Sequence, residues 1–226
     1  MVFPLGDDDS RIHITPIVTF ALIAVNVVVF LVQLAQGDIE TFFRTWAVIP
    51  LEYSRGTDLA PTHGGPFWIT TLTSMFMHGG WMHLLGNMLF LWIFGDNVEQ
   101  AMGSLKFLLF YLICGVLASG AQILMDASSE IPSLGASGAI SGVLGAYIAL
   151  FPKQRVRVLV GRAVTQMPAL VVIGLWIALQ FVNGIGQLAQ TEQTGGVAYA
   201  AHVGGFVAGL ALVWVFRSRD ARRAAA

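Results

Sequence analysis

Two residues of this chain have the chemistry of a nucleophile and its base. Ser137 lies in residues 135–138, Gly-Ala-Ser-Gly, where a polar loop gives way to apolar and small residues. His202 lies inside a later apolar run and is followed by Gly205 and Gly209. A serine hydroxyl becomes an effective nucleophile when a neighbouring base takes its proton, and histidine is the usual base. These two residue types predict that Ser137 and His202 form a catalytic dyad. The alternative role for Ser137, taken alone, is that of a helix cap or a packing residue.

A second pair of residues could stabilise the charge that such a nucleophile creates. His83 and Asn87 are four apart and share one face of a helix. With the backbone N–H of Ser137 they could form an oxyanion hole, and the alternative is a buried hydrogen-bonded pair. The segment around His202 contains no carboxylate, which favours a dyad over a triad.

The composition determines the class of protein in which this chemistry would occur. Of the 226 residues 56% are hydrophobic and only 11% are charged, whereas soluble domains carry about 25% charged residues. The sequence therefore predicts an integral membrane protein. A net charge of -1 argues against nucleic acid as a partner. The single cysteine, Cys114, excludes an internal disulfide and is expected to be a buried packing residue.

Six apolar segments are expected to cross the membrane as helices, because lipid leaves backbone polar groups no other partner. Pro152 would close the fourth, and Pro168 would lie in the first turn of the fifth. The fold class is thus an all-α membrane protein, a six-transmembrane-helix bundle with a long, aromatic-rich outer loop, residues 37–80, between helices 1 and 2. The segments are 16–36, 81–95, 105–125, 137–151, 167–190 and 197–216. The predicted organisation is a short cytoplasmic tail at 1–15, a transmembrane domain at 16–217 and a basic cytoplasmic tail at 218–226.

The distribution of basic residues predicts the orientation. Six crossings leave both termini on one side, and that side carries most of the arginine and lysine: Arg11, Lys106, Lys153, Arg155, Arg157, Arg162, Arg217, Arg219, Arg222 and Arg223. Only Arg44 and Arg55 fall on the other side. By the positive-inside rule both termini are cytoplasmic. No signal peptide is evident, and the compact form predicts a bacterial cytoplasmic membrane.

Counting residues along the predicted helices places three candidate site residues at one depth in the membrane. Counting back from the charged inner ends at Asp96, Lys153 and Arg217 puts three side chains roughly 20–24 Å above those ends. These three are His83, Ser137 and His202.

Small residues would then let two of these helices approach. Gly205 and Gly209 share a stripe with His202, while Gly138 and Gly142 flank a small-residue stripe in the fourth helix. Such stripes allow close backbone contact, which would bring the imidazole to the Ser137 hydroxyl.

Taken together, these motifs resemble the rhomboid intramembrane serine proteases. Residues 135–138 match the family's Gly-x-Ser-Gly, and residues 78–87 match its His-x4-His-x3-Asn. Residues 201–205, Ala-His-Val-Gly-Gly, followed by Gly209, match its last helix, and residues 99–103 match its turn after the second helix. The resemblance covers residues 16–216 in order.

The resemblance implies a role for each matching residue. Ser137 would be the nucleophile, His202 the general base, and Asn87 and His83 the oxyanion stabilisers, while His78 would support the outer loop and cavity. Gly135, Gly138, Gly205 and Gly209 would be supporting residues. The family cleaves transmembrane segments of other membrane proteins within the lipid bilayer, without metal or cofactor.

Two positions depart from the family pattern, and three other functions remain open. Many members carry an aromatic residue one turn after the serine, where this chain has Ser141, and some have Trp-Arg where it has Trp68-Ile69. The first alternative is a non-catalytic rhomboid-like protein that binds membrane clients. The second is a haem or metal protein ligated by histidines 78, 83 and 202, and a channel or transporter is a weaker third.

Overall fold

The computed structural model describes residues 2–8, 13–62, 64–188 and 198–218. In chain order the elements are β1 (Val2–Gly6), α1 (Ile17–Leu34), α2 (Ile39–Trp46), α3 (Pro50–Arg55), α4 (Thr70–Thr73), α5 (Trp81–Met102), α6 (Ser104–Met125), α7 (Ser137–Leu150), β2 (Arg155–Val160), β3 (Ala163–Pro168), α8 (Ala169–Leu188) and α9 (Tyr199–Phe216). Short 3-10 turns, Phe67–Ile69 and Ser74–Phe76, flank α4.

Six long helices of the described chain, α1 and α5 to α9, coincide with the six predicted apolar segments. The predicted class, a helical membrane protein, is confirmed. Within the described ranges, α1, α6 and α9 are long and apolar enough to cross a membrane, while α7 and part of α8 form shorter apolar helices. The count of six crossings stays a prediction.

Helix α5 is longer than the sequence predicted. The apolar segment was expected to end before Asp96, with a turn at residues 99–103, but the helix continues to Met102 and Gly103 caps it. The physical reason is the buried carboxylate of Glu99, whose charge is compensated by hydrogen bonds. It accepts them from the Thr19 backbone N–H and hydroxyl, both at 2.8 Å, and from the Ser104 hydroxyl at 2.6 Å. Polar residues therefore fasten α5 to the starts of α1 and α6.

A small antiparallel sheet, in the order β1-β2-β3, was not predicted. Residues 155–160, Arg-Val-Arg-Val-Leu-Val, alternate with the period of a strand, and Val156 and Val158 are buried in the core. A search for long apolar runs passes over so short a pattern. Pro168 was expected in the first turn of the fifth helix. It is instead the last residue of β3, and α8 begins at the next residue, Ala169.

The N-terminal residues are therefore more than a tail, because β1 pairs with β2. The Asp7 carboxylate, just after β1, accepts hydrogen bonds from the Tyr147 hydroxyl and, at 2.9 Å, from the side-chain amide of Asn97. These bonds join the N-terminal segment to α5 and α7. Of the predicted basic tail at 218–226, only Ser218 lies within the described residues.

The long outer loop is folded. Asp38 caps α2 by accepting hydrogen bonds from the backbone N–H of Glu40 and Thr41, both at 3.1 Å, and from the Thr41 hydroxyl. The Thr41 bonds hold the pKa of Asp38 below its ordinary value. Val48 pairs with Ser133 in an isolated bridge, which ties the loop to the segment that precedes α7.

Helix α7 lies at the centre of the bundle, since every residue from Gly138 to Tyr147 is buried. Around it α5, α6 and α9 contribute large aromatic side chains, and Tyr147 packs edge-on against Phe94 with ring centroids 4.9 Å apart. The element that carries Ser137 is thus the most enclosed one in the described fold.

Candidate active site

The crossing of α7 and α9 is made by glycines. A Cβ on Gly205 would overlap the carbonyl oxygen of Gly138, and a Cβ on Gly209 would overlap that of Gly142. The two backbones are therefore in direct contact at two successive turns. Any side chain at these positions would push the helices apart.

This contact brings Ser137 and His202 together. Ser137 is the first residue of α7, and His202 lies one turn into α9. The Nε2 atom of His202 is 2.7 Å from the Ser137 Oγ, which is hydrogen-bond distance. His202 is only 7% exposed, so few alternative partners from solvent compete for its ring.

The other side of the imidazole is held by α8, which the sequence analysis did not connect with the site. His202 Nδ1 lies 2.7 Å from the side-chain oxygen Oε1 of Gln180. The ring of Trp176 lies 5.7 Å from the imidazole, tilted by 38°. The available signal was the spacing of these two residues, four apart on one face of an apolar helix.

Ser141 stands at the position where many family members have an aromatic residue, and in the described part of the chain it makes no hydrogen bond or ring contact with the imidazole of His202. Its hydroxyl instead donates to the backbone carbonyl of Ser137 at 2.6 Å. Helix α7 therefore supplies Ser137 but no aromatic support for His202.

His83 approaches Ser137 from α5, across Gly135. The backbone N–H of Gly79 donates to His83 Nδ1 at 3.3 Å, so the proton of the neutral ring belongs on Nε2. Gly135 has a φ of +128°, and a Cβ there would lie 2.9 Å from that Nε2 atom. Only glycine both adopts this backbone conformation and leaves room for the imidazole.

Asn87 presents an unused donor one turn further along α5. It is 8% exposed, it lines the same cavity as Ser137, and its side-chain Nδ2 atom has no hydrogen-bond partner among the described residues. A buried amide donor without a partner is costly, and an incoming oxyanion would satisfy it.

His78 is close to the site but does not line the cavity. Its side chain is fully buried, and its ring meets the edge of His83 at 5.1 Å between centroids. Gln33 of α1 holds its backbone, donating to the His78 carbonyl and accepting from its N–H at 3.1 Å. Burial and the neighbouring His83 lower the pKa of His78 to about 3, which keeps it neutral.

A cavity of about 960 Å³ contains the site. Its lining includes Ser137, His202, His83, Asn87 and Gln180. Helix α2 and the segment between α6 and α7 add charged and polar residues to the lining, namely Glu40, Arg44, Asp126, Ser129 and Ser133. Pockets of roughly 300–1,000 Å³ hold small ligands or short peptide segments, so the cavity can admit a few residues of an extended chain.

Comparison with known proteins identifies the family. The rhomboid domain model matches residues 66–219, which include Ser137, His202, His83, Asn87 and Gln180. This chain belongs to the rhomboid family. The matched region begins in the outer loop before α4 and includes α5 to α9.

The curated relatives of this chain come from bacteria, fungi, plants and animals. Rhomboid protease GluP of Bacillus subtilis is 36% identical over 147 residues, 64% of this chain and 26% of the relative. Rhomboid protein 1, mitochondrial, of Saccharomyces cerevisiae is 31% identical, covering 65% of this chain and 41% of the relative. RHOMBOID-like protein 5 of Arabidopsis thaliana is 28% identical, covering 66% and 44%. The matched part spans less than half the length of each of these relatives.

As a member of the rhomboid family, this chain is an integral membrane protein. Members of the family are generally intramembrane serine proteases, which act on transmembrane substrates. The family also includes inactive rhomboid-like proteins. Its relatives include mitochondrial and chloroplast proteins, so the family occurs in more than one kind of membrane.

Proposed function

We propose that this rhomboid is an intramembrane serine endopeptidase that hydrolyses peptide bonds in or near transmembrane helices of membrane-protein substrates. The observation that carries the proposal is the 2.7 Å contact between His202 Nε2 and Ser137 Oγ inside the cavity. A hydroxyl so close to a buried imidazole has its base in place before substrate arrives.

In the first step His202 acts as general base. Its Nε2 atom takes the proton of the Ser137 hydroxyl while Oγ attacks the carbonyl carbon of the scissile peptide bond. The tetrahedral intermediate then collapses, and the imidazolium gives the proton to the departing amine. The products are a free amine end and an ester between the remaining peptide and Ser137.

Three donors surround the position where negative charge develops. The backbone N–H of Ser137 is one of the first in α7 and has no partner within the helix. The Nδ2 of Asn87 and the Nε2–H of His83 are the side-chain donors that we assign to the oxyanion. The positive end of the α7 dipole adds to their effect.

Hydrolysis of the ester requires water at the bottom of the site. We assign the entry of water to the same cavity, whose lining includes the charged residues Glu40 and Asp126. His202 removes a proton from that water as its oxygen attacks the ester carbon, and then returns the proton to Ser137 Oγ. This restores the free enzyme and releases a carboxylate end.

The alternatives that the sequence left open receive less support. Both ring nitrogens of His202 have partners, Ser137 and Gln180, so neither is available to haem or a metal ion. A client-binding protein without activity has no need of a paired nucleophile and base. We therefore assign no cofactor to the proposed reaction.

We further propose that the protein lies in a bacterial cytoplasmic membrane. Both termini are then inside, as the distribution of its basic residues predicts.

The test is cleavage of a panel of single-span substrates by purified protein in detergent. We expect Ser137→Ala and His202→Ala each to abolish cleavage while the protein keeps its melting temperature, because each removes one half of the dyad. The matched controls are Ser128→Ala and His13→Ala, which alter exposed residues of the same types. Full activity in either dyad variant would contradict the proposal.

A further inference from the structure

The imidazole of His202 is supported from α8, a helix that contributes no residue to the sequence motifs. Trp176, Gln180 and Gly184 recur every four residues and are half-buried, whereas their neighbours Leu179 and Phe181 are 59% and 57% exposed. This stripe is the face that α8 turns toward α9. At its far end a Cβ on Gly184 would lie 3.1 Å from the Cβ of Tyr199, so the two helices touch there as well.

We propose that Gln180 is a positioning residue that fixes the tautomer and orientation of the catalytic base, an inference that rests on the proposed hydrolytic function. The Oε1 atom of Gln180 is a carbonyl oxygen and can only accept a hydrogen bond. At 2.7 Å from Nδ1 it requires the proton of neutral His202 to be on Nδ1. The lone pair is then on Nε2, which faces Ser137 Oγ and must accept its proton.

Gln180 thus occupies the place that a carboxylate takes in a Ser-His-Asp triad. Because its amide is neutral, it orients the imidazole without adding the charge that would stabilise an imidazolium. Trp176, one turn earlier on α8, lies beside the same imidazole and limits its rotation. Together they supply from α8 the support that Ser141 cannot give from α7.

The contact between α8 and α9 controls the orientation of His202. The base is oriented only while α8 lies against α9, so the position of α8 is coupled to the reactivity of Ser137.

The titratable groups that share the cavity with His202 are His83 on α5, Glu40 and Arg44 on α2, Asp126 after α6, and Tyr199 on α9.

The experiment measures the rate at which a fluorophosphonate labels Ser137, since this small probe requires an activated serine but no transmembrane substrate. We expect Gln180→Leu to slow labelling by about 10–100-fold, as expected when the orienting partner of a catalytic histidine is lost. In cleavage assays kcat should fall while KM changes little. The matched control is Gln166→Leu, the same substitution at an exposed glutamine of β3 that does not line the cavity.

A second variant separates positioning from general damage to the fold. Gln180→Glu keeps the acceptor and should restore labelling, while its negative charge stabilises the imidazolium. The base then becomes neutral only at higher pH, so the acidic limb of the rate profile should move to higher pH. Labelling of Gln180→Leu at the wild-type rate, or an unmoved profile in Gln180→Glu, would overturn the inference.

Nitrogen NMR of labelled histidine distinguishes failure of this inference from failure of the proposed function. We expect wild-type His202 to carry its proton on Nδ1 and Gln180→Leu to show a mixture of tautomers. If wild-type Ser137 is not labelled at all, hydrolase function is refuted, and the tautomer measurement still decides whether Gln180 orients the ring. An identical tautomer in both proteins would refute the positioning role.

Discussion

At the scale of single residues, two side chains of α5 have hydrogen-bond donors without partners among the described residues. The Nδ2 atom of Asn87 is buried without a hydrogen bond among the described residues, and His83 has Nδ1 occupied by Gly79. Each of these residues therefore has a free donor near the Ser137 hydroxyl. Unsatisfied buried donors lower stability, and a site that stabilises an oxyanion provides a physical reason for them.

Replacing Asn87 tests this reasoning. We expect Asn87→Ala to lower kcat by about 10²–10³-fold, as the loss of one oxyanion donor does in a serine protease. Because the donor is used mainly in the transition state, KM should change little. The measurement is steady-state cleavage in detergent, and the control is Gln166→Ala, which removes an exposed amide of β3 outside the cavity. A kcat within the error of wild type would remove Asn87 from the oxyanion hole.

At the scale of elements, the site depends on how closely α7 and α9 approach. The contacts of Gly138 with Gly205 and of Gly142 with Gly209 are backbone to backbone, so they leave no space for a methyl group. The 2.7 Å distance between Ser137 and His202 is a consequence of this crossing. Glycines that cost helix stability elsewhere are required here for helix packing.

We therefore expect Gly209→Ala to lower both stability and activity. The added methyl group would meet the carbonyl of Gly142 and force the helices apart, at a cost of roughly 1–3 kcal/mol in unfolding free energy. A displacement of 1 Å at the reacting atoms can lower the rate by about 10²-fold. The measurements are thermal melting in detergent and cleavage rate.

The control for this substitution is Gly120→Ala in α6, where an added Cβ meets nothing within 4 Å. This variant should melt no lower than wild type and should retain its activity. Equal melting temperatures for both variants would show that the α7–α9 crossing tolerates a side chain.

At the scale of the whole molecule, one end of the bundle is joined by polar contacts. Glu99 links α5 to the starts of α1 and α6, and the Ser218 N–H donates to the Ala101 carbonyl at 2.8 Å, joining the end of α9 to α5. Asp7 joins the N-terminal segment to α5 and α7 at the same end. The opposite end contains the folded outer loop and the cavity.

This arrangement makes the orientation in the membrane testable. In a Cys114→Ala background, which removes the single native cysteine, we expect Arg55→Cys in the outer loop to react with an impermeant maleimide in intact cells. Arg162→Cys, in the turn between β2 and β3, should react only after permeabilisation. Both positions are exposed, so accessibility to the reagent depends on the side of the membrane. The reverse labelling pattern would contradict cytoplasmic termini.

The sequence alone determined that this is a helical membrane protein and where its six long helices lie. It also predicted which residues form the candidate site. Its apolar runs were long enough to predict helices at all six positions, because lipid leaves no other way to satisfy the backbone. The glycines at 138, 205 and 209 already indicated which faces could approach, since only small residues permit it. It did not predict the sheet or the full length of α5, because both depend on contacts between residues distant in the chain.

Only the tertiary structure decided how His202 is supported. Motif and periodicity identified Ser137 and His202, but the contacts of Gln180 and Trp176 with the imidazole depend on the rotation of α8 about its axis. In a helix that is apolar on most sides, sequence gives little indication of that rotation. The packing of α8 against α9 selects it, and so determines which side chain accepts the hydrogen bond of the base.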